Sequence, residues 1–269
     1  MKNKFLAGPY VAWMAIFTVV PLVMVAYFAF TAPDGGFTFA NFANAAEYLP
    51  IFLRSILYAL AACAICLVVG YPVAYVIAKS TSRVQRVLYL LVTLPMCMSF
   101  LLRTLALVAL VRDTGIINSF LGIFGIGPLP LIRNAGSVIM GMVYNYLPYM
   151  IMPLYTVIVK LDPRLIEAAQ DLGCDSVQTF RRVILPLSVP GIVSGITMVF
   201  VPAVSTFYIS QKLGATENMM VGDIIERQFK GVANQNLGAA MSLVLMVLVF
   251  ISIGLMNRFT DDGEEVATI

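Results

Sequence analysis

Six apolar runs set the rhythm of this 269-residue chain, at residues 5–30, 55–78, 87–111, 136–159, 187–211 and 237–256. A helix needs about 20 residues to cross a hydrocarbon core, and each run meets that length. The pattern therefore predicts an all-α integral membrane protein with six transmembrane helices. The first run is longer than the roughly 7 to 15 apolar residues of a signal peptide, so it is expected to remain as an anchor. No repeat, low-complexity tract or linker breaks the series, and a single transmembrane domain over residues 1–269 is the economical reading.

The polar interruptions are as informative as the runs. The longest, DPRLIEAAQDLGCDSVQTFRRVILP at residues 162–186, reads as two short helices. Asp162 caps a first helix that Pro163 opens, and Gly173 ends it. Asp175 with Gln178 three residues on suggests a capping box for a second, whose Val177, Phe180 and Ile184 share one face. Pro186 is expected to stop it. Residues 113–135 are rich in Gly and Pro, but TGIINSFLGIFGI within them is apolar enough to lie at a membrane interface and cap the outer mouth.

Charge orients the series, because cytoplasmic segments retain Lys and Arg. With the N-terminus inside, inner segments hold ten of the 17 basic residues: Lys2, Lys4, Lys79, Arg83, Arg86, Lys160, Arg164, Arg181, Arg182 and Arg258. Outer segments hold six: Arg54, Arg112, Arg133, Lys212, Arg227 and Lys230. Both termini and residues 162–186 are thus expected in the cytoplasm, with residues 260–269 as a solvated end. The chain is 60% hydrophobic and 12% charged, against about a quarter charged in soluble domains, so lipid must be its main solvent. Its basic residues are dispersed, which argues against nucleic-acid binding.

There is no histidine, which removes the commonest general base and metal ligand. Cys63 and Cys66 form a C-x-x-C within an apolar run, where two bare thiolates would be costly, so they read as small core residues. No metal site and no catalytic constellation are expected. The polar residues inside the runs read instead as a transport path or as glue between helices. Arg103 is the costliest of them, facing either the bundle interior or the outer interface. Tyr144, Asn145, Tyr146 and Tyr149 bunch around Pro148, with Pro153 beyond, which suggests a kinked, gate-like helix. Ser205, Thr206, Tyr208, Ser210 and Gln211 crowd the second half of the fifth run.

Glu167-Ala168-Ala169, followed by Gly173, Val183, Leu185 and Pro186, resembles the EAA signature of permease subunits of bacterial ATP-binding-cassette importers. Val183 stands where that family usually carries Ile. YPVAYVIAKS from Tyr71, YNYLPYMIMPLYTVIVKLD from Tyr144 and VPAVSTFYISQKLGA from Val201 look like the B-type permease of spermidine/putrescine importers. The resemblance implies a type I importer permease fold in a bacterial inner membrane, with two cytoplasmic coupling helices. Glu167, Ala168, Ala169, Gly173, Phe180, Val183, Leu185 and Pro186 would then meet a cytoplasmic ATPase, in two copies, that carries the ATP and Mg. It further implies a second permease subunit and an extracytoplasmic polyamine-binding protein. The chain itself would be non-catalytic and hold no cofactor. The path candidates are Arg103, Tyr144, Asn145, Tyr146, Tyr149, Ser205 and Tyr208. A polycation needs attraction, available from tyrosine faces and from Glu47, Asp113, Glu217, Asp223 and Glu226 at the outer mouth. Arg103 would better suit an anionic solute, which keeps another small-solute importer open as an alternative. A self-contained secondary transporter is the alternative of another class, disfavoured by the lack of intramembrane acids and histidines.

Overall fold

The structure is a computed structural model, which describes residues 4–32, 34–230 and 234–266. Helix α1 (Lys4–Ala29) carries the first run, and a short α2 (Ala40–Ala46) precedes α3 (Leu49–Lys79). The third run is not one helix. It divides into α4 (Ser82–Thr93), a 3-10 turn (Leu94–Cys97) and α5 (Phe100–Val111), followed by α6 (Ile116–Ile123). The two arms meet at a bend of 96°. Pro95, which lacks an N–H for the helical ladder, and the extended Met98 place the break.

Helix α7 (Ala135–Ile158) matches the fourth run, and its start is fixed by Asn134 and Ser137 in a reciprocal capping box. The polar interruption folds as α8 (Pro163–Asp171), α9 (Ser176–Thr179), a π-helical turn (Phe180–Ile184) and α10 (Leu185–Leu187). Pro186 lies within this helical run rather than ending it, two residues after the π-helical turn. The break falls at Ser188, where the axis turns by 63° into α11 (Val189–Ser205). The fifth run also divides: Thr206 is extended, and α12 (Tyr208–Leu213) starts afresh. Then come α13 (Val221–Lys230) and α14 (Gln235–Val266), which continues well beyond residue 256 into the polar end. The expected tail residues 267–269 lie outside the described residues.

Among the described residues, Leu49–Lys79 and Gln235–Met256 are single helices long and apolar enough to cross a membrane, and three further candidate spans are bent pairs. Helices α3, α7 and α11 form the centre, while α14 packs α1 against it. Small residues allow the close approach. A methyl group on Gly195 would stand 2.6 Å from Met150 Sδ, and one on Gly70 would stand 3.2 Å from Met150 Cγ. Met142, Met150, Leu154, Val199, Ala59 and Ala62 fill the interior, with Cys63 and Cys66 among them as expected. The outward faces carry Trp13, Phe17, Val68 and Leu102, apolar side chains suited to lipid.

The two ends of the bundle are defined by what grips α3. Its first turns meet residues 217–221, and its last turns meet Phe180. Asn118 organises the 113–135 loop, bonding the Leu129 carbonyl and N–H at 3.0 Å each. The Arg133 N–H, from a backbone with φ 63, donates to Leu213 O at 2.7 Å and ties that loop to α12. The apolar α6 exposes Ile116, Phe120 and Ile123 at the end opposite residues 162–186, as an interfacial cap would.

Candidate functional site

Residues 162–186 owe their shape to local chemistry. The Asp162 carboxylate accepts from the Arg164 N–H at 3.0 Å, and Pro163 occupies the first turn. The helix ends in a Schellman arrangement: Cys174 N–H to Ala169 O at 3.0 Å and Gly173 N–H to Gln170 O at 2.9 Å. This closure needs a left-handed residue, and Gly173 supplies it at φ 84. Asp175 then caps α9 by accepting from the Gln178 N–H at 2.7 Å, one half of the expected box. Glu167 and Ala168 are exposed while Ala169 is buried, so the face carrying the carboxylate is free. Leu172 is 86% exposed and Val177 64%. Of the expected inward face, Phe180 and Ile184 turn in but Val177 does not, because the π turn shifts the register after Thr179. Val183 is half-buried, and Leu185 and Pro186 are exposed.

A second cluster lies between α5, α7 and α12. Arg103 is buried at 4% exposure, and its Nε and Nη1 have no hydrogen-bond partner among the described residues. It therefore faces the interior rather than the outer interface. Asn145 is wholly buried, donating to Gly141 O at 2.9 Å and Thr104 Oγ1 at 3.3 Å, with its Oδ1 unpartnered. The Tyr146 hydroxyl donates to Pro202 O at 3.3 Å, a carbonyl near the end of α11. Phe100 bridges the rings, 6.3 Å from Tyr146 and 6.4 Å from Tyr208, and Tyr149 stands 6.4 Å from Tyr146. The Lys212 ammonium sits 5.6 Å over the Tyr208 ring, so this ring already accepts a cation on its face. Tyr149 also lines a groove of about 510 Å³ with Met96, Met152, Ser194 and Met198.

The segment between α11 and α14 holds a buried acid. Asp223 is fully enclosed; its Oδ2 accepts from Ser210 Oγ and from the Met220 N–H at 3.0 Å, and its Oδ1 is unpartnered. Burial pushes its carboxyl up from the ordinary carboxylate value, against the hydrogen bonds from Ser210 and Met220 and the Arg227 charge. Glu226 is engaged by the Gln211 amide and the Lys230 ammonium. Its partial burial pushes the carboxyl up, but those donors outweigh it and hold Glu226 below the ordinary range. Among the described residues no group of His, Cys, Asp or Glu is placed to hold a metal.

Residues 68–261 match the family described as "Binding-protein-dependent transport system inner membrane component". The chain belongs to this family. Relatives include the "Spermidine/putrescine transport system permease protein PotB" of Escherichia coli K12, 36% identical over 249 residues, covering 89% of this chain and 90% of that one. The protein of the same name from Haemophilus influenzae is 36% identical over 257 residues, covering 92% and 90%. Among solved structures, a bacterial ABC transporter importing the acidic polysaccharide alginate gives a TM-score of 0.75 at 18% identity, over 97% of this chain and 96% of that one. The inward-facing MetNI methionine ABC transporter gives 0.57 at 17% identity, over 81% and 93%. These structures support the fold of an importer permease, and the family places the chain in the inner membrane.

Within this permease, the path candidates are only partly brought together. Arg103, Asn145, Tyr146, Tyr149 and Tyr208 converge. Tyr144 is 45% exposed and, unlike Tyr146 and Tyr149, makes no ring contact with the cluster among the described residues. Ser205 lies elsewhere, in a cavity of about 420 Å³ with Glu226 and Ser242, and its hydroxyl is spent on Val201 O at 3.0 Å. Asp223 is no mouth acid, since it is enclosed, whereas Glu47, Asp113 and Glu217 are exposed. Sequence reasoning gave no role to Phe100 or to Thr104. Both read as ordinary core residues locally, and only the packing of α5 on α7 gives them neighbours.

Proposed function

We propose that this chain is a permease subunit of an ATP-driven importer of spermidine and putrescine. The observation that carries the reading is 36% identity to PotB proteins over about nine-tenths of the chain. Its partners in this reading are two copies of a cytoplasmic ATPase holding ATP and Mg, a second permease subunit and an extracytoplasmic polyamine-binding protein. This chain hydrolyses nothing. Six spans with both termini in the cytoplasm put residues 162–186 within reach of the ATPase, with Glu167, Leu172 and Val177 on the free surface. The rings of Tyr146, Tyr149 and Tyr208 then supply weak faces for ammonium groups, each worth roughly 0.5 to 2 kcal/mol. Weak sites suit a path that must release its cargo, and selection is left to the binding protein.

The buried Arg103, with two unpartnered donors, favours a second reading in which the cargo is a small anion. Reconstitution of the co-purified assembly in proteoliposomes separates the two. Spermidine uptake that putrescine competes and sulfate does not supports the first; the reverse pattern overturns it. In the same assay Tyr208→Leu is expected to lower spermidine flux roughly two- to thirtyfold, the range of one cation–π contact. Unchanged flux would remove Tyr208 from the path.

A further inference from the structure

Residues 162–186 are joined to the bundle along the chain at both ends, and sideways to α3. Along the chain the segment leaves α7 at a 69° bend and enters α11 through Ser188 at a 63° bend, with only the short α10 between that break and the π-helical turn. A π turn and a break in succession make a compliant joint, one that would absorb a push from below instead of passing it on. Sideways, the segment is clasped to α3. The Phe180 ring stands edge-on to Tyr71 at 5.5 Å and to Tyr75 at 6.3 Å. The hydroxyls of Tyr71 and Ser188 are 2.7 Å apart. Ser188 Oγ already donates to Leu185 O at 2.9 Å, so the Tyr71 hydroxyl is the donor to Ser188. Both residues are buried, Ser188 completely, so water does not compete for this bond.

We propose that this clasp is a transmission joint: Tyr71, through Ser188 and Phe180, passes displacement of the cytoplasmic segment into α3 before the Ser188 break can absorb it. The opposite end of α3 is fastened as well. Arg54 donates to the carbonyls of Glu217 and Met219, Ser55 Oγ accepts from the Val221 N–H at 2.9 Å, and the Tyr58 hydroxyl donates to Asn218 Oδ1 at 2.9 Å. A helix of 31 residues is about 46 Å long at about 1.5 Å per residue, so α3 connects the two ends of the bundle by itself. Pro72 removes a ladder hydrogen bond beside Tyr71, and the outer part of α3 tilts about that point when Tyr71 is pushed. The tilt reaches residues 217–221, which join α12, the bearer of Tyr208, to α13.

The inference rests on the importer reading, and its test separates the two. The complete reconstituted assembly is assayed in parallel for ATP hydrolysis and spermidine import. Tyr71→Phe keeps the ring and removes one hydroxyl; Ser188→Ala removes its partner. Each is expected to raise the ATP consumed per spermidine imported roughly two- to tenfold, the range of one neutral hydrogen bond. The double variant is expected to be no worse than either single, because one bond is shared. A merely structural role would lower import and hydrolysis together and leave the ratio unchanged, which overturns the clasp, as would additive effects. If Tyr71→Phe fails to assemble, Ser188→Ala carries the same ratio test. If the wild-type assembly imports no polyamine, the cargo reading fails, and the clasp is then read from the variants' loss of binding-protein-stimulated over unstimulated ATPase activity; unchanged stimulation overturns it.

Discussion

Asp223 sits in the molecule with no exposed surface and one carboxylate oxygen unbonded, and enclosing a charge in that way costs several kcal/mol unless it is neutralised or fully paired. Its carboxyl is raised above its ordinary value of 3.8 by burial. A raised acid binds its proton more tightly in the folded state than in the unfolded one. Stability therefore falls as pH rises from about 4 through the raised value. Asp223→Asn retains an acceptor for the Met220 N–H and cannot ionise. Its thermal midpoint in detergent is expected to match or exceed the wild type at pH 7, and to vary less between pH 4 and 7. An unchanged pH slope in the variant would locate the dependence elsewhere. Asp223 thus fastens α13 to α12 through Ser210.

At the scale of elements, the breaks are as purposeful as the helices. The 96° bend at Pro95 lets the third run place Phe100 and Arg103 against α7 instead of passing straight by. Gly173 is the elbow between α8 and α9, at φ 84, and a Cβ there would meet nothing within 4 Å. The cost of Gly173→Ala is accordingly conformational, about 1 to 2 kcal/mol for a left-handed alanine, with no clash to confuse the result. Relief of that strain re-aims α8 relative to α9. The variant is expected to insert and assemble normally but to lose at least half of its transport-coupled ATPase stimulation. Full stimulation would mean that the elbow tolerates other geometries. This elbow and both Asp caps were legible in the sequence, because a cap and a positive φ are satisfied by neighbours in the chain. The register of α9 was not, since the π turn that moves Val177 outward is stabilised by Phe180 packing on α3.

For the whole molecule, residues 162–186 carry exposed apolar side chains outside the apolar runs. Leu172 and Val177 project from a polar segment, beside exposed Glu167, at the end of the bundle opposite α6. Covering a leucine side chain is worth about 2 kcal/mol, so Leu172→Asp is expected to reduce co-purified ATPase roughly tenfold or more. Because the side chain is 86% exposed, the thermal midpoint of the isolated permease should not move. Retention of the ATPase by this variant would shift the docking surface elsewhere on the segment.

The sequence by itself determined the solvent, the helical class, the positions of most apolar runs and the local caps of residues 162–186. These depend on a residue's hydropathy or on bonds to residues three or four positions away. Only the tertiary structure decided that the third and fifth runs are broken, that Tyr144 and Ser205 stand apart from the ring cluster, and that Asp223 is enclosed. It also brought Tyr71 to Ser188 across 117 positions of chain. Such pairings depend on how neighbouring helices rotate and cross, and many different rotations bury an apolar stripe almost equally well. The choice among them is made by close approach at Gly70 and Gly195 and by buried polar groups that must find partners, which no single stretch of sequence contains.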